Sequence, residues 1–132
     1  MVSFSYLCDK IYIMTDSMLN ISSCPIRQVI SRFANKWSIL VLYLLNDSET
    51  GILRFSELRR LMADCSQKML SQTLKNLEQS HFLQRKVYPE VPPRVEYSLT
   101  PTGKSLMPVV TDLINWSLTH FDEVVTDKAI AD

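Results

Sequence analysis

The spacing of apolar and polar residues predicts two consecutive helices in the segment that begins at Pro25. Proline is favoured at the first position of a helix, and the apolar residues after it follow helical spacing, which predicts a helix over residues 25–34. Residues 36–46 are apolar almost all round, so they indicate a second helix that is buried in the core. The polar cluster over residues 47–51 is typical of a turn that ends this helix.

The next stretch has the pattern of two short helices joined by a tight turn. A brief strand is predicted over residues 52–55, after which Ser56 is placed to cap the first helix. A turn over residues 63–65 leads to Ser66, which is placed to cap the second helix, and that helix is predicted to end near Ser80. The residues predicted to face the core are Leu58, Leu61 and Met62 in the first helix and Met69, Leu70, Leu74 and Leu77 in the second. Two such helices form a helix-turn-helix.

A β-hairpin and a long helix are predicted to complete the fold. Residues 82–88 and residues 94–99 read as two strands with alternating apolar side chains. Between them lie Pro92 and Pro93, which cannot donate to a strand ladder, so this segment must form the hairpin tip. A long helix is predicted over residues 102–125. The expected fold is mostly α-helical with a small β-hairpin, a winged helix-turn-helix in the order α-α-α-α-β-β-α.

The length and composition of the chain fit one globular domain. Its 132 residues can bury a single core, with residues 1–23 as an apolar N-terminal extension that could join a dimer interface. Residues 24–101 are predicted to form the winged helix-turn-helix domain, and residues 102–132 a C-terminal helix and tail. The longest apolar run, residues 39–45, is far shorter than the roughly 20 residues of a membrane span. With no recognisable signal peptide, the protein is expected to be cytoplasmic.

The charges of the chain are unevenly distributed although their sum is zero. Residues 51–104 contain nine basic and five acidic residues, a net charge of +4, and the remainder carries −4. The distribution of charge matters more for association with a partner than its sum does. Basic charge is therefore concentrated in the segment that contains the predicted helix-turn-helix and hairpin, which gives modest support for a nucleic-acid partner.

The helix predicted over residues 66–80 has a polar face that is suited to contact nucleic acid. This face carries Gln67, Lys68, Ser71, Gln72, Lys75 and Asn76. Glutamine can pair with adenine through two hydrogen bonds, and lysine can reach guanine or a phosphate. The start of the helix at Ser66 leaves backbone N–H groups that can bind a phosphate. A merely solvated helix face would have a similar composition, so this face alone leaves both interpretations open.

The predicted hairpin favours the nucleic-acid interpretation, because it is basic and stiff. Arg85 and Lys86 lie on one strand and Arg94 on the other, around the proline tip. Arginine in such a wing can enter a narrow minor groove or contact phosphates. The residues predicted to contact DNA are Arg54, Ser66, Gln67, Lys68, Ser71, Gln72, Lys75, Lys86 and Arg94.

Several short motifs occur in an order and at spacings that match one known family. They are Cys24-Pro25, Lys36-Trp37, residues 54–59, residues 66–70, Leu74 with Leu77 and Glu78, and the long segment over residues 88–103. In these motifs residues 24–117 resemble the HxlR family of winged helix-turn-helix transcription regulators, which are relatives of the MarR group. The pair Ala34-Asn35 departs from the family pattern, which often has two glycines there.

The resemblance implies a sequence-specific regulator of transcription, with repression as the favoured mode. It implies a homodimer built from the terminal helices, on a pseudo-palindromic duplex operator whose half-sites lie about 34 Å apart. It implies no catalytic residue, no metal and no cofactor. The sequence agrees independently, because the helix predicted over residues 102–125 has more apolar surface than one small domain needs, including Trp116 and Phe121. An isologous dimer would cover that surface.

The three cysteines, Cys8, Cys24 and Cys65, suggest neither a disulfide framework nor a zinc site. Cys24 precedes the first helix, whose dipole would favour the thiolate and raise its reactivity. The HxlR resemblance adds that several such regulators have a cysteine before this proline that senses oxidants or electrophiles. A small residue that merely caps the helix is the other interpretation, and both stay open. Cys65, in the turn before the predicted recognition helix over residues 66–80, is a weaker candidate for oxidation.

Three other functions are compatible with parts of the sequence. An enzyme is disfavoured because neither histidine, His81 or His120, has a metal-spaced partner, and because the sequence contains no nucleophile elbow or glycine-rich phosphate loop. His81 is better explained as the cap of the recognition helix. A winged-helix module that binds another protein, and not DNA, is the main alternative. Gating by a small-molecule effector is a further option, for which no convergent charged pair marks a site.

Overall fold

The computed structural model of the chain describes residues 25–125. The N-terminal extension over residues 1–23 lies outside the described residues, as do Cys8, Cys24 and residues 126–132. The interpretations of Cys24 and of the extension therefore stay predictions.

The chain divides into two compact units, Met1–Asn35 and Lys36–Asp132. The described part of the first unit is one helix, α1 (Pro25–Phe33), which begins at the proline that predicts it. The exposed large apolar residues of α1 are Ile26, Val29 and Ile30. Their spacing places them on one side of the helix, so α1 is amphipathic as expected.

The second unit combines helices with a small antiparallel sheet. Its elements are α2 (Lys36–Asp47), β1 (Ile52–Arg54), α3 (Phe55–Leu61), α4 (Gln67–Gln79), β2 (Leu83–Tyr88), β3 (Arg94–Leu99), α5 (Pro101–Thr119) and α6 (Phe121–Val124). The predicted helix-turn-helix is α3 and α4, and the predicted hairpin is β2 and β3. The brief strand β1 joins this hairpin, so the sheet has three strands in the order β1-β3-β2.

The sheet has a buried end and a projecting end. Leu53 of β1 pairs with Tyr97 of β3, and Leu83 of β2 pairs with Leu99 of β3. These four side chains are buried, whereas no residue of β2 after Leu83 is. The distal part of the hairpin therefore extends beyond the core, as a wing does.

The core is formed where α2, α4 and α5 pack together and against the sheet. Its fully buried large side chains are Val41, Leu42, Leu45, Leu58, Leu70, Leu74, Leu77 and Val110. Burying a side chain of this kind contributes roughly 1.5–3 kcal/mol. The prediction that α2 is buried all round is only partly right, because Leu40 is 42% exposed while the opposite side of the helix forms the core.

The predicted cap of the first helix of the helix-turn-helix is wrong by two residues. The N-cap is Arg54, because the carboxylate of Glu57 accepts a hydrogen bond from the Arg54 backbone N–H at 3.1 Å. The helix therefore starts at Phe55, and Ser56 lies exposed in its first turn. An acidic side chain in the first turn also interacts favourably with the helix dipole.

Two residues assigned to the inner faces of the helix-turn-helix are exposed instead. Met69 is 45% exposed and Leu61 is 55% exposed. Met69 lies about 100° around the helix from Leu70, because an α-helix has 3.6 residues per turn, and so falls beside the buried stripe. Leu61 is the last residue of α3, and the buried Met62 that follows it fills the core.

The single long helix predicted after the hairpin is divided in two. The first part, α5, starts one residue early at Pro101, because the hydroxyl of Thr100 accepts a hydrogen bond from the Gly103 N–H at 3.1 Å. It ends at Thr119 with His120 as its C-cap, whose backbone N–H donates to the Trp116 carbonyl, and α6 follows as a separate turn. Within residues 25–125, no helix is long and apolar enough to cross a membrane.

The junction between α4 and the wing is fixed by a Schellman cap centred on His81. This residue has a φ of 66°, in the left-handed region. The N–H groups of His81 and Phe82 donate to the carbonyls of Glu78 and Leu77, each at 3.0 Å. The Thr100 hydroxyl in turn donates to the His81 carbonyl at 2.5 Å. The prediction that His81 caps the end of this helix is confirmed.

Gly103 lies so close to this junction that a side chain does not fit. A Cβ atom there would overlap the Phe82 carbonyl oxygen and lie 3.3 Å from the Leu99 side chain. We expect Gly103→Ala to lower the free energy of unfolding by about 1–3 kcal/mol, the usual effect of overpacking, although alanine is the better helix former.

Urea denaturation measures this change. The matched control is Lys104→Ala, because Lys104 is the next residue of α5 and is exposed. Its free energy of unfolding should stay within about 0.5 kcal/mol of the wild type. Equal stabilities of the two variants would contradict the close packing at Gly103.

Candidate nucleic-acid interface

The outer side of α4 is a continuous polar surface. Its members, called the polar ridge from here on, are Gln67, Lys68, Ser71, Gln72, Lys75 and Asn76, and all six are exposed. The opposite side of the same helix supplies Leu70, Thr73, Leu74 and Leu77 to the core. The core therefore sets which residues of α4 a partner can reach.

The start of α4 is fixed by its N-cap. The hydroxyl of Ser66 accepts a hydrogen bond from the Met69 N–H at 3.1 Å, as the sequence predicts. Helix geometry leaves the N–H groups of Gln67 and Lys68 without partners inside the helix. They lie at the positive end of the helix dipole, which favours a negatively charged group there.

Two side-chain hydrogen bonds orient the amides of the polar ridge. The guanidinium of Arg59, on α3, donates to Oε1 of Gln67 at 2.9 Å. The Nε2 group of Gln72 donates to Oδ1 of Asn76, one turn along the same helix, also at 2.9 Å. Both glutamines predicted to contact bases are thus held by a neighbour.

The wing, which consists of β2, β3 and the tip over residues 89–93, carries a cluster of cations around one aromatic ring. Arg94 lies 4.0 Å from the centre of the Tyr88 ring, and Lys86 lies 5.0 Å from it. Arg94 also pairs with Glu90 at 3.4 Å and with Glu96 at 3.2 Å. The Nε atom of Arg94 has no aligned hydrogen bond, so its pairing with Glu96 is electrostatic.

This cluster changes the expectation for Arg94. Its side chain is 27% exposed, and the two carboxylates beside it carry more negative charge than its own positive charge. Arg94 therefore lies against the wing and does not project from the tip as an unpaired cation. Lys86, by contrast, is exposed on the same strand ladder, opposite Glu96.

A cleft of about 880 Å³ separates α4 from the wing. Its walls include the basic side chains of Arg54, Lys75 and Arg85, and the acidic side chains of Glu78 and Glu90. The cleft brings Arg54, which precedes α3, close to residues of the polar ridge and of the wing. Three segments that are distant in the sequence thus form one surface.

A comparison with known protein families identifies the chain. Residues 32–125 match the family model for HxlR-like helix-turn-helix proteins. The chain belongs to this family. The resemblance found in the motifs of the sequence is therefore confirmed, and so is the winged helix-turn-helix fold.

Individual relatives of this HxlR-like protein agree with that assignment. The HTH-type transcriptional regulator YtfH of Escherichia coli strain K12 is 44% identical over 102 residues, which cover 77% of this chain and 79% of YtfH. The structure of the transcriptional regulator ytfH from Salmonella typhimurium is similar with a TM-score of 0.72 and 42% identity, over 82% of this chain and 94% of that one. The redox regulator HypR in its oxidised form gives a TM-score of 0.65 at 35% identity, over 73% and 96% of the two chains. The HxlR-like protein is thus a transcriptional regulator by family.

Two basic residues of the HxlR-like protein belong to this surface although they are absent from the residues predicted to contact DNA. Arg85 lines the cleft, and Arg59 holds Gln67. The basic hairpin already pointed to Arg85. No signal in the sequence pointed to the pairing of Arg59 with Gln67, because it depends on the angle between α3 and α4.

Cys65 of the HxlR-like protein has the surroundings of a structural cysteine. It is 4% exposed, and burial, aided by the charge of Asp64, raises the pKa of its thiol, while Lys36 opposes the rise. A raised pKa keeps the thiol protonated at neutral pH, and the thiolate is the reactive form. These surroundings weaken the candidacy of Cys65 for oxidation.

Proposed function

We propose that this protein binds duplex DNA in a sequence-specific manner and thereby regulates transcription, with repression as the favoured mode. The observation that carries the proposal is the exposed polar ridge of α4 beside a basic wing. With 13 residues at about 1.5 Å each, α4 is about 20 Å long and has the diameter that the major groove admits. The family assignment supports the same function.

Each part of the surface has a proposed role in DNA binding. Gln67 and Gln72 contact base edges in the major groove, where amide groups can distinguish base pairs. Lys68, Lys75 and Arg54 contact phosphates, which fix the position of the protein on the duplex. Ser66 and Ser71 are proposed as further contacts of the same helix.

In the wing, Lys86 is the proposed contact with phosphates or the minor groove. Arg94 is proposed to contribute as well, because its positive charge offsets part of the negative charge of Glu90 and Glu96, with which it pairs. Loss of Arg94 would leave these two carboxylates uncompensated near the phosphates, so its removal should still weaken binding.

We further propose that the protein acts as a homodimer through its terminal helices. Val109, Leu113 and Trp116 of α5 are between 46% and 61% exposed and share one side of the helix by their spacing. Phe121 and Val124 of α6 are also exposed, at 54% and 63%. Apolar surface of this extent on a small domain indicates an interaction site, and a twofold pair would bury it in both copies.

The base contacts can be tested by measuring the affinity for a selected duplex and for its single-base variants in gel shifts. Gln67→Ala and Gln72→Ala should each reduce discrimination by roughly 1–3 kcal/mol at one base pair per half-site. Gln79→Ala is the matched control, because Gln79 is exposed on the same side of α4 but lies seven residues, about 10 Å, beyond Gln72 at the far end of the helix.

Arg94→Ala supplies the contrasting result in the same series, because it should weaken binding to many sequences alike. Wild-type affinity should fall steeply with salt, since phosphate contacts release counterions. A protein-binding module without a DNA role would show no such salt dependence. Unchanged affinity and discrimination in all of these variants would reject the assigned surface.

The dimer can be tested by placing a charge on the exposed apolar side of α5. Leu113→Glu should convert the dimer into monomers and lower the affinity for a two-half-site duplex by at least about tenfold, because a buried unpaired carboxylate destabilises an interface strongly. Analytical ultracentrifugation measures the oligomeric state. Asn115→Glu is the matched control, since Asn115 is exposed about 200° around the same helix. A Leu113→Glu variant that stays dimeric would place the interface elsewhere.

A second proposed function is thiol-based sensing through Cys24, which lies outside the described residues. The proposal rests on its place in the sequence, directly before the first residue of α1, because a thiolate is favoured at the positive end of a helix. The similarity to HypR, a redox regulator, supports this proposal.

The sensing proposal predicts that diamide changes the DNA affinity of the wild type by about tenfold and leaves Cys24→Ser unaffected. Cys65→Ala is the control and should respond as the wild type does, because the thiol of Cys65 is buried. Equal responses of wild type and Cys24→Ser would remove Cys24 as the sensor and leave it as a helix cap.

A further inference from the structure

The hydrogen bond between Arg59 and Gln67 links the first helix of the helix-turn-helix to the first residue of the recognition helix. We propose that Arg59 is a positioning residue that makes Gln67 select guanine rather than adenine. The inference rests on the proposed DNA-binding function and deepens it, because it names the base that one side chain prefers. Both side chains are exposed and lie at the end of α4 that begins at the Ser66 cap.

The chemistry of the two groups fixes which amide atom faces Arg59. A guanidinium has five N–H donors and no acceptor. The amide of Gln67 can satisfy it only with its oxygen, which lies 2.9 Å from the Arg59 Nη1 atom. The NH2 group of Gln67 is therefore directed away from Arg59, and a flip of the amide would set donors against donors.

This orientation changes what Gln67 presents to a base. An amide pairs with adenine by accepting from N6–H while donating to N7, which requires the oxygen and the NH2 group to face the base together. Arg59 takes one of the two lone pairs of this oxygen and places its other N–H donors beside it, so the pair presents mainly donors to a base, namely the NH2 group of Gln67 and the guanidinium N–H groups. A pair of donors matches guanine, which presents two acceptors, N7 and O6, in the major groove. Adenine would place its own N6–H donor against this set.

The second glutamine of the polar ridge is held differently. Gln72 is paired with Asn76, another amide, at 2.9 Å. Two amides can exchange the roles of donor and acceptor by flipping together, so this pair always keeps one acceptor and one donor for a base. Gln72 thus keeps the adenine complement, and only Gln67 is restricted.

The test is the selection of bound duplexes from a randomised library by the full-length protein, followed by sequencing. Gln67→Ala identifies the position that Gln67 contacts, because discrimination there is lost. Arg59→Met removes the donors and keeps most of the side-chain length. Arg60→Met is the matched control, since it removes the same charge from the next residue of α3, which is also exposed. Thermal unfolding by circular dichroism checks that both variants are folded.

We expect the wild type to prefer guanine over adenine by about tenfold at the position identified by Gln67→Ala. In Arg59→Met this ratio should fall to about twofold or reverse, because the amide is then free to pair with adenine. In Arg60→Met the ratio should stay at the wild-type value, whatever happens to total affinity. If Arg59 only stabilised the fold, its loss would lower total affinity but would not change the preference for guanine over adenine at this position.

Two results would overturn the inference while leaving the proposed function intact. One is an Arg59→Met variant that retains the wild-type ratio of guanine to adenine. The other is a wild-type preference for adenine at the position that Gln67→Ala identifies. A wild-type protein that enriches no duplex at any salt concentration would instead reject the proposed function, and the inference with it.

Discussion

The burial of one side of α4 is the constraint on which the rest of the surface depends. Leu70, Leu74 and Leu77 are at most 1% exposed, and each contributes roughly 1.5–3 kcal/mol by leaving water. Because successive residues of a helix are rotated by about 100°, these three anchors fix the rotation of the whole helix. The polar ridge faces outward as a consequence, and any rotation that withdrew it would expose the leucines.

Both ends of α4 are also fixed, so that its exposed side is held in one position, as contact with a regular partner such as a duplex requires. The Ser66 hydroxyl sets the first residue of α4, and the left-handed His81 ends the helix and starts the turn into the wing. The Thr100 hydroxyl then ties the His81 carbonyl to the start of α5. In the first turn of α5, Gly103 has no side chain, and this leaves room for the Phe82 carbonyl. The polar ridge and the wing are thus held in one unit, and a pair of such units can match the repeat of the double helix.

Much of this arrangement could be predicted from local signals, and the exceptions have physical reasons. The strongest local signals are proline at the start of α1 and in the wing tip, and serine at the start of α4. Each of these residues acts on the backbone of its own residue or of a residue within three positions of it. The cap of α3 was predicted two residues too late, because the Glu57 carboxylate accepts a hydrogen bond from the Arg54 N–H and the helix already starts at Phe55. The exposure of the polar ridge followed from helical periodicity. The pairings of Gln67 with Arg59 and of Arg94 with two carboxylates did not, since they depend on tertiary geometry.

In the proposed homodimer, two copies of this chain present their α4 helices and wings to one side of a single duplex. Hydroxyl-radical footprinting of a selected duplex tests it most directly. We expect two protected patches on each strand, related by a twofold axis, with centres about 10 base pairs apart on one side of the helix. A single patch, or two patches on opposite sides of the duplex, would contradict this account.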